Sequence, residues 1–145
     1  MLNQGMLSSN KEDWETPSVF FDKLNDKYHF SFDLASNDNN HKVSNYYTIK
    51  DDALSKPWHE IAGNLWLNPP YGRQIKNWIK KAYEESLLKQ SGHIVLLIPA
   101  RTDTSYWHDY IFGKAQIQFL RGRLKFEING KPKDAAPFPS ALVIY

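Results

Sequence analysis

The stretch NLWLNPPYGRQIKNWIKKAYEESLLKQSGHIVLLIPA, residues 64–100, decides the architecture. Its first four residues read as an apolar strand over 64–67 that Pro69 stops, because proline has no N–H to give a ladder. Ile75, Trp78, Ile79, Ala82, Tyr83 and Leu87 then recur at helical spacing with lysines on the other face. That spacing predicts an amphipathic helix, and Gly92 is placed to end it. HIVLLIPA (93–100) is apolar without alternation, as in a strand covered on both faces. Strands joined through a helix lie parallel in one sheet, since the crossover carries the chain back to its starting edge.

The same reading extends in both directions. In TPSVFFDKLNDKY, Thr16 is a helix cap and Pro17 the first helical residue of a helix over 17–27. FSFDLA (30–35) follows as a strand, the Asn- and Ser-rich SNDNNHKVSN as a loop, and YYTI (46–49) as a short strand. DDALSKPW is a loop with at most one helical turn. After residue 100, DTSYWHDYIFG (103–113) predicts a shorter helix ending at Gly113. AQIQFL, RLKFEI and ALVIY supply three more strands. The expectation is a compact α/β domain over 13–145, mainly parallel with an antiparallel section near the C-terminus, preceded by a frayed segment over 1–12.

Composition narrows the chemistry. The chain has 145 residues, enough for one sizeable core, and its 41% hydrophobic and 23% charged residues are those of a globular protein. No apolar run approaches a membrane span and the N-terminus lacks a signal-peptide core, so a cytoplasmic location is expected, with no membrane partner. With no cysteine there is neither a disulfide framework nor a thiolate nucleophile. The five histidines show no ligand spacing, and no metal is expected. A net charge of +2 admits a nucleic-acid partner without requiring one.

In an open α/β sheet, ligands bind outside the carboxyl ends of the strands. The run over 64–67 delivers Asn68, Pro69, Pro70 and Tyr71 to that edge. Each proline fixes its own φ and restricts the residue before it, so the Asn68 side-chain oxygen and the Pro69 carbonyl can converge as two fixed acceptors. Tyr71 adds a flat face beside them. Two acceptors and a ring suit an exocyclic amine on a planar heterocycle. Adenine N6 is a poor nucleophile because its lone pair is delocalised into the ring. Hydrogen bonds from both its protons to Asn68 and Pro69 favour a pyramidal nitrogen, with the lone pair aimed at an electrophile. A base held this way has left its duplex, and Tyr71 would stack on it. The alternative is a turn with no further role. Proline is about 5% of residues, so a Pro-Pro pair arises by chance at roughly one position in 400. Requiring Asn before it and an aromatic after it, between a strand and an amphipathic helix, favours the functional reading.

The blocks DWETP, FDLAS, DDAL, LWLNPPYGR, LLIPARTDTSYWHDYIF, FLRGRLKF and APFPSALVIY, in that order, resemble the phage-type DNA N6-adenine methyltransferases. The likeness runs from about Asp13 to Tyr145. It implies a Rossmann-like fold and methyl transfer from S-adenosylmethionine to adenine N6, with Asn68, Pro69, Pro70 and Tyr71 catalytic and no metal. It also implies that Trp14, Thr16 and Pro17 lie beside the methionine end of the cofactor. Asp33 and Ala35 fall in the first-strand cofactor motif, and Asp52 in the block lining the cofactor's adenine. The partner implied is double-stranded DNA with a flipped adenine, met by a monomer or weak homodimer in a bacterial host cell.

LASNDNN has no glycine where a typical methyltransferase has a glycine-rich loop, which motivates an alternative: a DNA-binding or decoy protein that lost its cofactor. Cytosine-N4 and protein-glutamine methyltransferases are further readings. The first more often has Ser than Asn in the motif, and the second usually adds an N-terminal domain and a glycine-rich loop.

Two further groups stand out. Arg101 and Asp103 in PARTDT follow the buried strand and could contact the target nucleotide, or else Asp103 or Thr104 caps the next helix with Arg101 as ion-pair partner. Arg121, Arg123 and Lys125 share one face of FLRGRLKF, with Leu120, Leu124 and Phe126 on the other. That stripe could track phosphates or simply be the solvated face of an edge strand. Neighbouring Asp51 and Asp52 read as loop residues.

Overall fold

The computed structural model describes residues 14–145; the frayed segment expected over 1–12, and Asp13, lie outside the described residues. In chain order the main elements are α1 (Ser18–Tyr28), β1 (Phe32–Asp33), β2 (Leu65–Leu67), α2 (Ile75–Leu88) and β3 (Ile94–Pro99). β4 (Gln116–Phe119), β5 (Glu127–Ile128), β6 (Lys131–Pro132) and β7 (Ser140–Ile144) complete the set. One five-stranded sheet has the order β1-β2-β3-β7-β4, and β5 and β6 form a separate hairpin.

β1 pairs parallel with β2, and β2 with β3, in registers such as Phe32↔Leu65 and Leu67↔Leu96. β7 is antiparallel to both β3 and β4. β1, β2, β3 and β4 therefore run one way and β7 alone runs against them. The expected parallel sheet with an antiparallel C-terminal section is present as a mixed α/β sheet. All six residues of β3 and all five of β7 are buried, as the continuous apolar runs required. Phe21 of α1 meets Trp66 edge-on at 5.2 Å, while α2 buries Ile75, Ile79 and Ala82.

Several boundaries differ from expectation. α1 starts at Ser18, with Pro17 outside it at ψ 131° and no side-chain cap from Thr16. The cap comes from far along the chain: the Ser18 N–H and hydroxyl donate to the two oxygens of the Glu127 carboxylate at 3.2 and 3.1 Å. The strand over 30–35 shrinks to two residues. The one over 46–49 becomes a single parallel bridge, Asp33↔Tyr46, running into 3-10 turns at Ile49–Asp51, Ala53–Ser55 and Trp58–Glu60. Leu87 is 67% exposed, whereas Glu85 is buried on the inner face. Glu85 is held there by the His59 N–H and ring Nδ1, each at 3.1 Å. Gly92 does not end α2, which closes at Leu88 with Lys89 already extended. Residues 103–113 form a widened turn of π geometry at Trp107–Ile111, with Gly113 at φ +78° after it. RLKFEI is a strand only at Glu127–Ile128, so Arg121, Arg123 and Lys125 lie on a connecting segment and not on an edge strand.

Parallel strands bring their exits together. The chain leaves β1 at Leu34, β2 at Asn68 and β3 at Ala100 on one edge, and because β7 is reversed it enters from that same edge through Pro139.

Candidate active site

β2 ends at Leu67, and Asn68, Pro69 and Pro70 follow it without regular structure. The Asn68 amide nitrogen donates to the Trp14 carbonyl, which fixes the side chain's orientation. Its Oδ1 is buried and has no hydrogen-bond partner. A buried carbonyl oxygen without a donor costs on the order of 1–3 kcal/mol, so a donor arriving at this oxygen would be bound favourably. Among the described residues none donates to the Pro69 carbonyl either.

Tyr71 is placed differently from expectation. Its ring is 6% exposed, its hydroxyl donates to the Leu97 carbonyl at 2.7 Å, and burial holds the phenol well above its usual pKa. Phe126 and Phe138 meet it edge-on, with centroids 6.1 and 5.8 Å away. Trp14 packs edge-on against the same two phenylalanines. The Tyr71 ring is thus held in an aromatic cluster and offers no open face.

The strap Trp14–Ser18 is stitched to the β5–β6 hairpin. Glu15 accepts the Glu127 N–H on its backbone carbonyl, and its carboxylate accepts the N–H groups of Asn129 and Gly130. The Lys133 ammonium lies 3.9 Å from the centroid of the Trp14 ring. Thr16 is buried within this strap.

Asp33 is buried at the end of β1, and burial pushes its pKa up to about 6 against the pull of its hydrogen bonds. The carboxylate accepts the Lys42 N–H at 2.9 Å and the Ala35 N–H at 3.3 Å, so it helps shape the loop after β1. Asp52 is exposed at φ 51°, linking two 3-10 turns, while Asp51 caps the first of them through the Thr48 N–H at 2.7 Å. A polar cavity of about 310 Å³ opens between strap, post-β1 loop and hairpin, with Glu15, Asn37, Asn40, Lys42, Glu127 and Asn129 among its lining.

Arg101 and Asp103 are exposed just past β3. Thr104 makes the cap, its Oγ1 accepting from the Trp107 N–H, and among the described residues no carboxylate pairs with Arg101. Arg121 and Lys125 are exposed, and Arg123 donates to the Ala136 carbonyl at 3.2 Å. No group of potential metal ligands occurs among the described residues, and no described helix is long and apolar enough to cross a membrane.

Sequence reasoning missed Glu15, Glu127 and Phe138. Phe126 belongs to the inner face of FLRGRLKF, and nothing in the local sequence points it toward Tyr71.

Comparison with known proteins adds an independent finding. The family model for DNA N-6-adenine-methyltransferase (Dam) matches residues 4–145. Over 118 residues the chain is 27% identical to the DNA N-6-adenine-methyltransferase of Escherichia phage T1, covering 81% of this chain and 48% of that protein. Over 150 residues it is 25% identical to the protein of the same name from Haemophilus phage HP1 (strain HP1c1), covering 100% of this chain and 84% of that one. The chain thus spans about half the length of the phage T1 relative.

Proposed function

The chain belongs to the DNA N-6-adenine-methyltransferase (Dam) family, and we propose that it methylates the N6 amine of an adenine flipped out of double-stranded DNA. The observation that carries this reading is the buried, unpartnered Oδ1 of Asn68, with its amide held by the Trp14 carbonyl. Oδ1 and the Pro69 carbonyl accept the two amine protons, and the rigid corner keeps both acceptors in place as the nitrogen gains positive charge. Preorganised acceptors of this kind act where charge develops and need no reorganisation during the reaction. Both are neutral, so neither takes the proton outright, and it leaves to water after transfer.

S-adenosylmethionine, when bound, supplies the electrophilic methyl group on its sulfonium. The sheet is read as Rossmann-like, with residues 13–145 as one methyltransferase domain and the cofactor at the carboxyl edge of β1. The residues there suit it: the cavity's carboxylates and amides can hold an ammonium and sugar hydroxyls, and about 310 Å³ is within the usual span of small-molecule sites. Of the strap, Glu15 and Ser18 line the cavity; Trp14, Thr16 and Pro17 belong to the same strap without lining it. The loop set by Asp33 and Ala35 supplies Asn37, Asn39, Asn40 and Lys42 opposite. Asp52 follows the Tyr46 bridge, which is parallel to β1 and so leads to the same edge. Stacking on Tyr71 requires Phe126 and Phe138 to move aside when a base enters.

Arg101, Asp103, Arg121, Arg123 and Lys125 are read as the DNA-facing groups. The relatives' phage origin suits a phage or prophage enzyme acting in its host's cytoplasm. Incubation with methyl-labelled S-adenosylmethionine and duplex DNA, followed by nucleoside analysis, tests the reading. The label is expected on N6-methyladenine, and label on cytosine, or none, would contradict it.

A further inference from the structure

Two side chains among the described residues carry a buried polar atom with no partner: Asn68, through Oδ1, and Ser140, through Oγ. Ser140 is 1% exposed at the start of β7, and no step described so far uses it. The registers place it. Asn68 is two residues beyond Trp66, so it shares the sheet face of Trp66 and of its partner Val95. Val95 is opposite Ile144 and Pro99 opposite Ser140, which sets Ser140 on that same face. Both orphans lie at the carboxyl edge, on either side of β3. Strands two apart are separated by roughly 10 Å. Ser140 is level with Pro99 while Asn68 is level with Leu97, so the two positions are roughly 12 Å apart, a span that a purine with a hydrogen bond at each end can bridge. Phe138, two residues before Ser140 in the bend that leads into β7, packs against Tyr71 and Trp14, and the Asn68 amide is bonded to Trp14, so both orphans adjoin the aromatic cluster a base must enter.

We infer that Ser140 positions the substrate, its hydroxyl donating a hydrogen bond to the ring nitrogen on the edge of the adenine opposite the amine. The inference rests on the adenine reading above and extends it from the amine to the whole base. A buried hydroxyl without a partner costs stability in the free protein; the incoming base supplies the missing acceptor.

The test uses Ser140→Ala, the wild type, and two duplexes carrying a site that the wild type methylates, one with adenine and one with 3-deazaadenine at the target. The variant should melt no lower than wild type, because an unsatisfied hydroxyl is removed. On adenine its kcat/KM should fall about tenfold, the usual worth of one neutral hydrogen bond. On 3-deazaadenine the wild type should already be slowed by a similar factor, and the variant should lose nothing more. Ser140→Cys, with a weaker donor, should fall between the two on adenine. Unchanged kcat/KM on adenine, an equal loss on both duplexes, or a loss accompanied by a lower melting temperature would overturn the role. Wild type that methylates cytosine instead, or no DNA at all, would overturn the adenine reading beneath it.

Discussion

Asp33 illustrates how one side chain can organise a loop by accepting its N–H groups. Its buried carboxylate ties down the Ala35 and Lys42 N–H groups, giving the glycine-free loop after β1 its course. The cost of burying that charge shows in its pKa, raised to about 6 from an ordinary 3.8. The folded protein therefore binds more protons than the unfolded chain between those values. The Asp33 contribution is fully present below about pH 4 and is lost as pH rises through about 6, a change of about 3 kcal/mol. Urea unfolding of wild type and Asp33→Asn across pH 4–7 checks the sign: wild type should lose stability relative to the variant as pH rises, and a constant difference would contradict it. Asn68 was legible in the sequence because two prolines constrain it locally. Its partner, the Trp14 carbonyl, is 54 residues away in the chain and leaves no local sign.

Elements whose order comes from their own residues were read well, and those ordered by distant partners were not. β3, α2 and β7 carry their burial in unbroken or periodic apolar patterns. The β5–β6 hairpin is positioned by Glu15, whose carboxylate reaches the Asn129 and Gly130 N–H groups more than a hundred residues later. Gly92 was read as a helix stop, yet its role is a close approach between the turns leading into β2 and β3. It sits at φ +81°, and a Cβ there would lie 2.4 Å from the Gly63 carbonyl oxygen. Gly113, at φ +78°, has nothing within 4 Å of such a Cβ. Gly113→Ala should therefore cost only the left-handed penalty of about 1–2 kcal/mol. Gly92→Ala should cost clearly more, because backbone must move as well. Chemical denaturation of the two variants, if it gave equal losses, would remove the close-approach explanation.

On the scale of the whole molecule, the exposed cations Arg101, Arg121, Arg123 and Lys125 are the groups proposed to face DNA. Neutralising a phosphate releases counterions and gives a salt slope of about −0.9 per contact on duplex DNA. Replacing Arg121 and Arg123 together by glutamine should flatten log K against log salt by up to about 2 units, equally on unrelated sequences. An unchanged slope would leave these arginines as solvated surface. DNA affinity, cofactor and corner meet only in the reaction, and there Asn68 carries the central claim. Single-turnover methyl transfer by Asn68→Ala, measured beside its melting curve and cofactor affinity, tests it most directly. The result expected is a fall of ~10²–10³ in rate with folding and cofactor binding retained; a variant that transfers methyl groups at the wild-type rate would contradict it.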